Sequence, residues 1–266
     1  PFTPGEDKTI AYLKEEFQKI GLKPGNGKSY FQQVPLVELY SKPVKALEIA
    51  GANGKVTLDY LNDFVGGTRR VENSTALSDA EVVFVGHGVV APEYGWNDYE
   101  GIDVKGKVVI ALANDPGFSD ASLFKGKNMT YYGRWTYKFE EATRQGAAGV
   151  LLIHEPSRAG YGWNVVRSSW GKSKLYLQSE DGNLDSPKLE GWISTEAAKR
   201  ILALSGQSEA LLEKALQKGF KPVTLGAKAS VGFENEIKKS VSNNVAALLP
   251  GKERKDEVIV YTAHWD

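Results

Sequence analysis

Four short runs of consecutive apolar residues constrain the fold of this 266-residue chain more than any other feature. The runs are residues 82–85, 108–112, 150–153 and 258–261. A strand with only apolar side chains has to be covered on both faces, as the central strands of α/β sheets are. A helical pattern over residues 135–145 ends at Gly146 and leads directly into the third run. The sequence therefore predicts an α/β fold.

The segments around these runs supply the remaining predicted elements. Thr3 and Pro4 are suited to the N-cap and first position of an amphipathic helix that ends at Gly21. Further predicted strands are residues 33–39, 45–50, 55–60, 227–237 and 244–249, with predicted helices at 195–204 and 208–218. Residues 62–79 are polar and predict a domain boundary, and residues 156–171 predict an aromatic, glycine-rich loop.

Charge, hydropathy and cysteine content exclude several classes of protein. The chain has 33 basic and 33 acidic residues and no long basic run, which disfavours nucleic acid as a partner. No stretch of about 18 apolar residues is present, so the sequence predicts no membrane span. The absence of cysteine rules out a disulfide framework, a thiol nucleophile and a cysteine-ligated zinc site.

His264 and Asp266 are two residues apart at the end of the fourth apolar run. Residues i and i+2 of a strand project to the same side, and ligands of open α/β sheets bind beyond the carboxyl ends of strands. An imidazole nitrogen and a carboxylate oxygen suit zinc, and a carboxylate can bridge two ions. The spacing alone is also compatible with a histidine and an aspartate in an ordinary surface turn.

A longer pattern surrounds this pair. An asparagine–valine pair, an apolar strand, a proline–glycine turn, an acidic pair and a second apolar strand ending in His-x-Asp run over residues 242–251 and 256–266. The pattern resembles the zinc aminopeptidase/carboxypeptidase superfamily, which includes bacterial secreted aminopeptidases and the glutamate carboxypeptidase and transferrin-receptor ectodomains. Residues 3–6, 21–24 and 31–36 look like the N-terminal segment of the same family.

The middle of the chain resembles an inserted protease-associated domain. The matching segments are residues 83–89, 91–99, 103–109 and 138–153. The resemblance implies a partial mixed-sheet zinc-peptidase domain, interrupted by a smaller α/β protease-associated domain. Residues 1–70 and 226–266 would belong to the peptidase domain, and residues 71–225 to the insert.

The resemblance also implies a chemistry. His264 would bind one zinc ion and Asp266 would bridge that ion to a second. Such a pair of ions polarises the scissile carbonyl and lowers the pKa of a bridging water, while a glutamate acts as general base. In the family that glutamate, the remaining carboxylate ligands and the last histidine follow the His-x-Asp motif. We therefore expect the peptidase domain to continue after Asp266, and residues 1–266 alone to be an inactive fragment that does not bind zinc tightly.

The implied function of the intact protein is the removal of N-terminal residues from peptides, with the insert modulating substrate access or binding a protein partner. The family resemblance implies export, either to the periplasm or out of the cell. Two alternatives remain open. One is a non-catalytic interaction module or receptor-like member of the superfamily, and the other is a carboxypeptidase or dipeptidase.

Three further residues are candidates for lining the substrate cleft. His154 ends the third apolar run, and Trp163 and Trp170 lie in the aromatic segment that follows it. The alternative for all three is packing in the core or within the loop. His87, between Gly86 and Gly88, is predicted to be a loop histidine whose ring is satisfied by backbone groups.

Overall fold

A computed structural model describes residues 2–266 of the chain. The α-helices are α1 (Pro4–Lys19), α2 (Trp135–Arg144), α3 (Pro156–Ala159), α4 (Trp163–Trp170), α5 (Thr195–Leu204) and α6 (Ala210–Lys214). The strands are β1 (Lys23–Pro24), β2 (Phe31–Gly51), β3 (Gly54–Leu58), β4 (Phe64–Gly67), β5 (Ser74–Phe84), β6 (Val90–Ala91), β7 (Trp96–Asn97), β8 (Val108–Leu112), β9 (Gly149–His154), β10 (Lys174–Leu177), β11 (Leu189–Ser194), β12 (Val223–Val245) and β13 (Ala247–Leu248). Single 3-10 turns span Pro92–Tyr94, Pro116–Phe118 and Tyr131–Gly133.

The chain divides into two compact units. Unit 1 comprises residues 2–38, Leu175–Gln178 and Lys238–Asp266. Unit 2 is larger and comprises Leu39–Lys174 and Ser179–Ile237. The long strands β2 and β12 contribute residues to both units.

Unit 2 is built on a mixed sheet with the strand order β2-β12-β5-β8-β9-β11-β4, and β3 is paired with β2. The neighbours β5, β8, β9 and β11 are all parallel. The outer pairings β12 to β5 and β11 to β4 are antiparallel. This mixed sheet confirms the predicted α/β class, whereas the assignment of an inserted protease-associated domain stays a prediction.

The parallel strands of unit 2 bury both of their faces. Alternate residues of β5, β8 and β9 enter one hydrophobic cluster, which also includes Ile201 of α5 and Leu211 of α6. The intervening residues enter a second cluster, which includes Phe139 of α2 and Val166 of α4. Helices therefore cover the sheet on each side, which explains why these strands read as uninterrupted apolar runs.

Helices α5 and α1 each begin next to a side chain that caps the N-terminus of the helix. Ser194 Oγ accepts a hydrogen bond from the backbone N–H of Ala197 and caps α5. In unit 1, Thr3 Oγ1 accepts from Gly5 N, and Pro4 occupies the first turn of α1. Both arrangements satisfy backbone donors that have no partner within the helix. Unit 1 also contains the short antiparallel pair β1 and β13.

Two local predictions are wrong. The predicted strands 33–39 and 45–50 are not separate, because β2 runs without a break from Phe31 to Gly51. The loop expected at residues 156–171 contains helices α3 and α4. Contacts distant in the sequence, such as the hydrogen bond from Trp163 of α4 to the Leu61 carbonyl, override weak local signals.

Residues 62–79 contain the fully buried strand β4 and the start of β5. Their role as a domain boundary stays a prediction.

The division of the chain into segments 1–70, 71–225 and 226–266 remains a prediction. Compact units identify groups of residues that pack together, and they do not identify which segment was inserted into which. No helix within residues 2–266 is long and apolar enough to cross a lipid bilayer.

Candidate functional site

The segment that precedes the candidate metal ligands differs from the prediction. Residues 258–262 belong to no strand, although the sequence predicts a buried one. Val258, Ile259, Val260 and Tyr261 are exposed by 73%, 83%, 71% and 92%. A buried strand requires a neighbouring strand and a covering layer. Neither is provided for this segment by residues 2–266, so the prediction of a central strand is wrong for the structure described.

His264 and Asp266 are nevertheless brought together. His264 Nδ1 lies 3.2 Å from Asp266 Oδ1, and the two side chains are 95% and 44% exposed. Between them, Trp265 is partly buried in unit 1 and donates its indole N–H to the carbonyl of Asn243. This contact anchors the middle residue while its two neighbours remain open to solvent.

The donor atoms of this pair suit a zinc ion. Zinc takes nitrogen and oxygen ligands at about 2.0–2.2 Å, so two ligand atoms on one tetrahedral ion lie roughly 3.3 Å apart. The observed 3.2 Å matches that separation and also matches an ordinary hydrogen bond. A zinc site takes at least three protein ligands, and within residues 2–266 no three acidic, histidine or cysteine side chains are grouped around a metal position. The residue types therefore fit zinc, while their number does not complete a site.

His154 lies in an aromatic cluster of unit 2. Its ring centroid is 5.7 Å from Tyr161, 5.6 Å from Trp163 and 6.0 Å from Trp192. Trp163 is anchored because its indole N–H donates to the Leu61 carbonyl. Burial lowers the pKa of His154, and the carbonyls of Tyr161 and of His154 itself oppose this shift. His154 is thus a buried, neutral ring, and its role in lining a cleft stays a prediction.

Trp170 contacts a different group of aromatic rings. Its ring packs edge-on against Trp135 and Phe139, and the ammonium of Lys174 lies over its face. The structure therefore places His154 and Trp163 together and gives Trp170 other neighbours. The role predicted for Trp170 in a cleft also stays a prediction.

Unit 2 contains a buried polar cluster that was not predicted from the sequence. It is formed by His87, Asp98, Asp115 and Lys138, which are all at least nine-tenths buried. Burial raises the pKa of Asp98 and lowers that of Lys138, because each charged form loses its hydration. The sequence does contain one signal of this cluster. Lys138 is a charged residue on the buried face of α2, next to Phe139 and four residues before Ala142, where an apolar residue is expected.

Comparisons with known proteins give a fold likeness only. No protein-family model matches the chain. No curated protein matches it. The structure is similar to an aminopeptidase from Aneurinibacillus sp. strain AM-1, with 17% sequence identity, a TM-score of 0.40, and coverage of 96% of this chain and 45% of that one. It is also similar to the zinc aminopeptidase BSAP from Bacillus subtilis, with 12% identity, a TM-score of 0.29, and coverage of 91% and 40%.

The chain thus spans less than half the length of either solved structure. At this level of similarity neither protein's activity transfers to the chain.

Proposed function

We propose that the intact protein is a two-zinc aminopeptidase in which His264 and Asp266 supply two of the metal ligands. The observation that carries the proposal is the 3.2 Å separation of an imidazole nitrogen and a carboxylate oxygen on a solvent-accessible segment. The residue pattern around the pair, which resembles this class of peptidase, supports the same assignment.

Each residue has a distinct part in the proposal. His264, through an unprotonated ring nitrogen, and Asp266, through its carboxylate, would be two of the residues that hold the zinc ions. When bound, the zinc pair polarises the peptide carbonyl and lowers the pKa of a water molecule. Trp265 would hold the segment in place through its hydrogen bond to Asn243, so that the two ligands project together. The proposal assigns the general base and the remaining ligands to other parts of the intact protein, since no third ligand is grouped with the pair within residues 2–266.

The middle of the chain has a separate proposed role. Residues 71–225 would form a protease-associated domain that shapes substrate access or binds a protein partner, in a protein exported to the periplasm or out of the cell. Strands β5, β8, β9 and β11 lie within residues 71–225, as do the buried residues of the second hydrophobic cluster other than Val65, and this supports the proposed role. Unit 2 also contains β3, β4 and part of β12, which lie outside that range. Fractionation of the producing cells, with the protein followed by an antibody, tests the location.

Hydrolysis by the intact protein tests the proposed activity. We expect cleavage of aminoacyl-p-nitroanilides and no cleavage of their N-acetylated forms, since an aminopeptidase requires a free N-terminus. Preferential cleavage of C-terminal residues or of dipeptides would instead identify a carboxypeptidase or dipeptidase. His264→Ala and Asp266→Asn should each lower kcat/KM by about a thousandfold, the scale of losing several kcal/mol of metal-assisted stabilisation.

The matched control is Asp256→Asn, which removes an exposed carboxylate from the same tail. It should retain wild-type kcat/KM. If the intact protein cleaves no peptide, the receptor-like alternative replaces the peptidase.

A further inference from the structure

The ammonium of Lys138 is buried in unit 2 without a hydrogen-bond partner. Lys138 is 1% exposed, and its Nζ contacts no acceptor atom within residues 2–266. The ring of Tyr137 lies 5.9 Å away. An ammonium has three N–H donors, and buried donors in native proteins are almost always paired with protein or ordered water. A partner for this group is therefore required.

His87 presents a buried acceptor in the same cluster. Its Nδ1 lies 3.3 Å from the carbonyl of Asn114, and a carbonyl can only accept, so Nδ1 carries the ring proton. Burial lowers the pKa of His87 well below its ordinary value, and the charges of Lys138 and Arg158 lower it further, which keeps the ring neutral. The other nitrogen, Nε2, is then an acceptor, and it too has no partner within the described chain.

The two carboxylates that attract Lys138 already accept other hydrogen bonds. Asp98 accepts from the indole N–H of Trp96 at 2.8 Å and from the backbone N–H of Val89 at 2.9 Å. Asp115 accepts from the backbone N–H groups of Gly117 and Thr130 at 3.1 and 2.8 Å. Lys138 makes no ion pair within 4.0 Å among residues 2–266, although both carboxylates attract its charge.

These groups belong to elements that meet at one edge of the parallel sheet. His87 follows the end of β5 by three residues, Asp115 follows the end of β8 by three, and Lys138 lies on α2. The carboxyl ends of parallel strands are where open α/β sheets bind their ligands. The unpaired Lys138 Nζ and the unpaired His87 Nε2 therefore lie at the edge of the sheet where a small ligand can bind.

We propose that unit 2 binds one buried water molecule between Lys138 Nζ and His87 Nε2. The water oxygen accepts from the ammonium, one water hydrogen is donated to Nε2, and the other is donated to a carboxylate oxygen of Asp98 or Asp115. Only a ligand that both donates and accepts satisfies the two groups. A simple anion such as chloride has no hydrogen for Nε2, and a metal cation is repelled by the ammonium. Buried waters of this kind usually make about three hydrogen bonds.

The bound water joins α2 to the ends of β5 and β8. It thereby supports the segment between Asn114 and Gly133, which Asp115 holds through Gly117 and Thr130. Removal of the water should loosen this segment. We expect the backbone amides of Gly117 and Thr130 to exchange with solvent about tenfold faster, since a net hydrogen bond is worth about one decade in an equilibrium.

A high-resolution crystal structure of the wild-type protein tests the site without any substitution. We expect a water oxygen about 2.8–3.2 Å from both Lys138 Nζ and His87 Nε2. A direct contact between the two nitrogens, or a direct ion pair between Lys138 and either carboxylate with no water, would overturn the proposal. So would an ion in place of the water.

Variants test the same site in solution through oxygen-17 relaxation dispersion of water, which counts long-lived internal waters. Lys138→Met keeps the length of the side chain and removes the donors, so one long-lived water should be lost. His87→Asn retains a donor near Nδ1 and removes the Nε2 acceptor, and should lose the same water. Lys105→Met, at an exposed lysine of unit 2, should lose none. An unchanged count in both test variants would contradict the site.

Discussion

Strand β8 and the segment of residues 258–262 have nearly the same apolar character and opposite environments. β8 pairs with a parallel strand on each side, and no residue of it is more than 3% exposed. The four apolar residues of the other segment, 258–261, are each more than 70% exposed. An apolar run indicates that a segment needs cover, whereas neighbouring strands and helices decide whether it is covered.

The largest expected effect is the loss of stability caused by one alanine substitution in β8. Ile110→Ala in β8 should lower the free energy of unfolding of unit 2 by about 3 kcal/mol, because it removes buried methyl groups and leaves a cavity between covered faces. Urea unfolding followed by intrinsic fluorescence measures the change. A loss below about 1 kcal/mol would show that β8 is not part of a close-packed core.

A smaller effect comes from pH. The folded-state pKa of His87 is depressed below 6.5, so the unfolded chain takes up the proton first as pH falls. The stability that depends on neutral His87 is fully present above pH 6.5 and is lost as pH falls toward the depressed folded-state pKa. We expect the protein to be less stable at pH 5 than at pH 6.5, by no more than about 2 kcal/mol.

Urea unfolding at pH 7.5, 6.5 and 5.0 measures this loss. His87→Asn is the comparison, because it removes the titrating ring and retains the other ionisable groups of unit 2. The wild-type protein should lose more stability over this range than the variant. Equal pH dependence in the two proteins would contradict a neutral, buried His87.

The smallest expected effect is in the exposed segment. Ile259→Ala should change the free energy of unfolding by less than about 0.5 kcal/mol, since substitutions of exposed residues outside special contacts are close to neutral. Ile259→Ala and Ile110→Ala remove the same side-chain atoms, so the two variants can be compared directly. A loss near that of Ile110→Ala would mean that residues 258–262 are covered in solution, as the sequence predicts.

Much of the fold was predictable because its signals are local. Thr3 and Ser194 mark helix starts through their side-chain chemistry, and β8 and β9 read directly as buried strands. β4 was not predictable, because it is only four residues long and is defined by its pairing with β11. Gly191 shows this dependence: a Cβ there would clash with the Val65 carbonyl oxygen, so the close approach of β4 and β11 requires glycine.

The candidate site was predictable only in part. The i, i+2 spacing predicts that His264 and Asp266 project together from a strand, whereas the structure has their donor atoms 3.2 Å apart on a segment that is not a strand. Their role as metal ligands stays a prediction. Further metal ligands cannot be deduced from spacing, because they depend on segments brought together by tertiary structure. The buried polar cluster around Lys138 was not predicted for a related reason. A lysine is normally read as exposed, and the carboxylates that attract this one lie 23 and 40 residues away in the sequence.

Anomalous scattering at the zinc edge from crystals of the intact protein tests the assignment of His264 and Asp266 most directly. We expect two zinc peaks, with one ion about 2.0–2.2 Å from a ring nitrogen of His264 and a carboxylate oxygen of Asp266 on both ions. Zinc bound at other residues, or His264 and Asp266 pointing apart with no ion between them, would contradict the assignment.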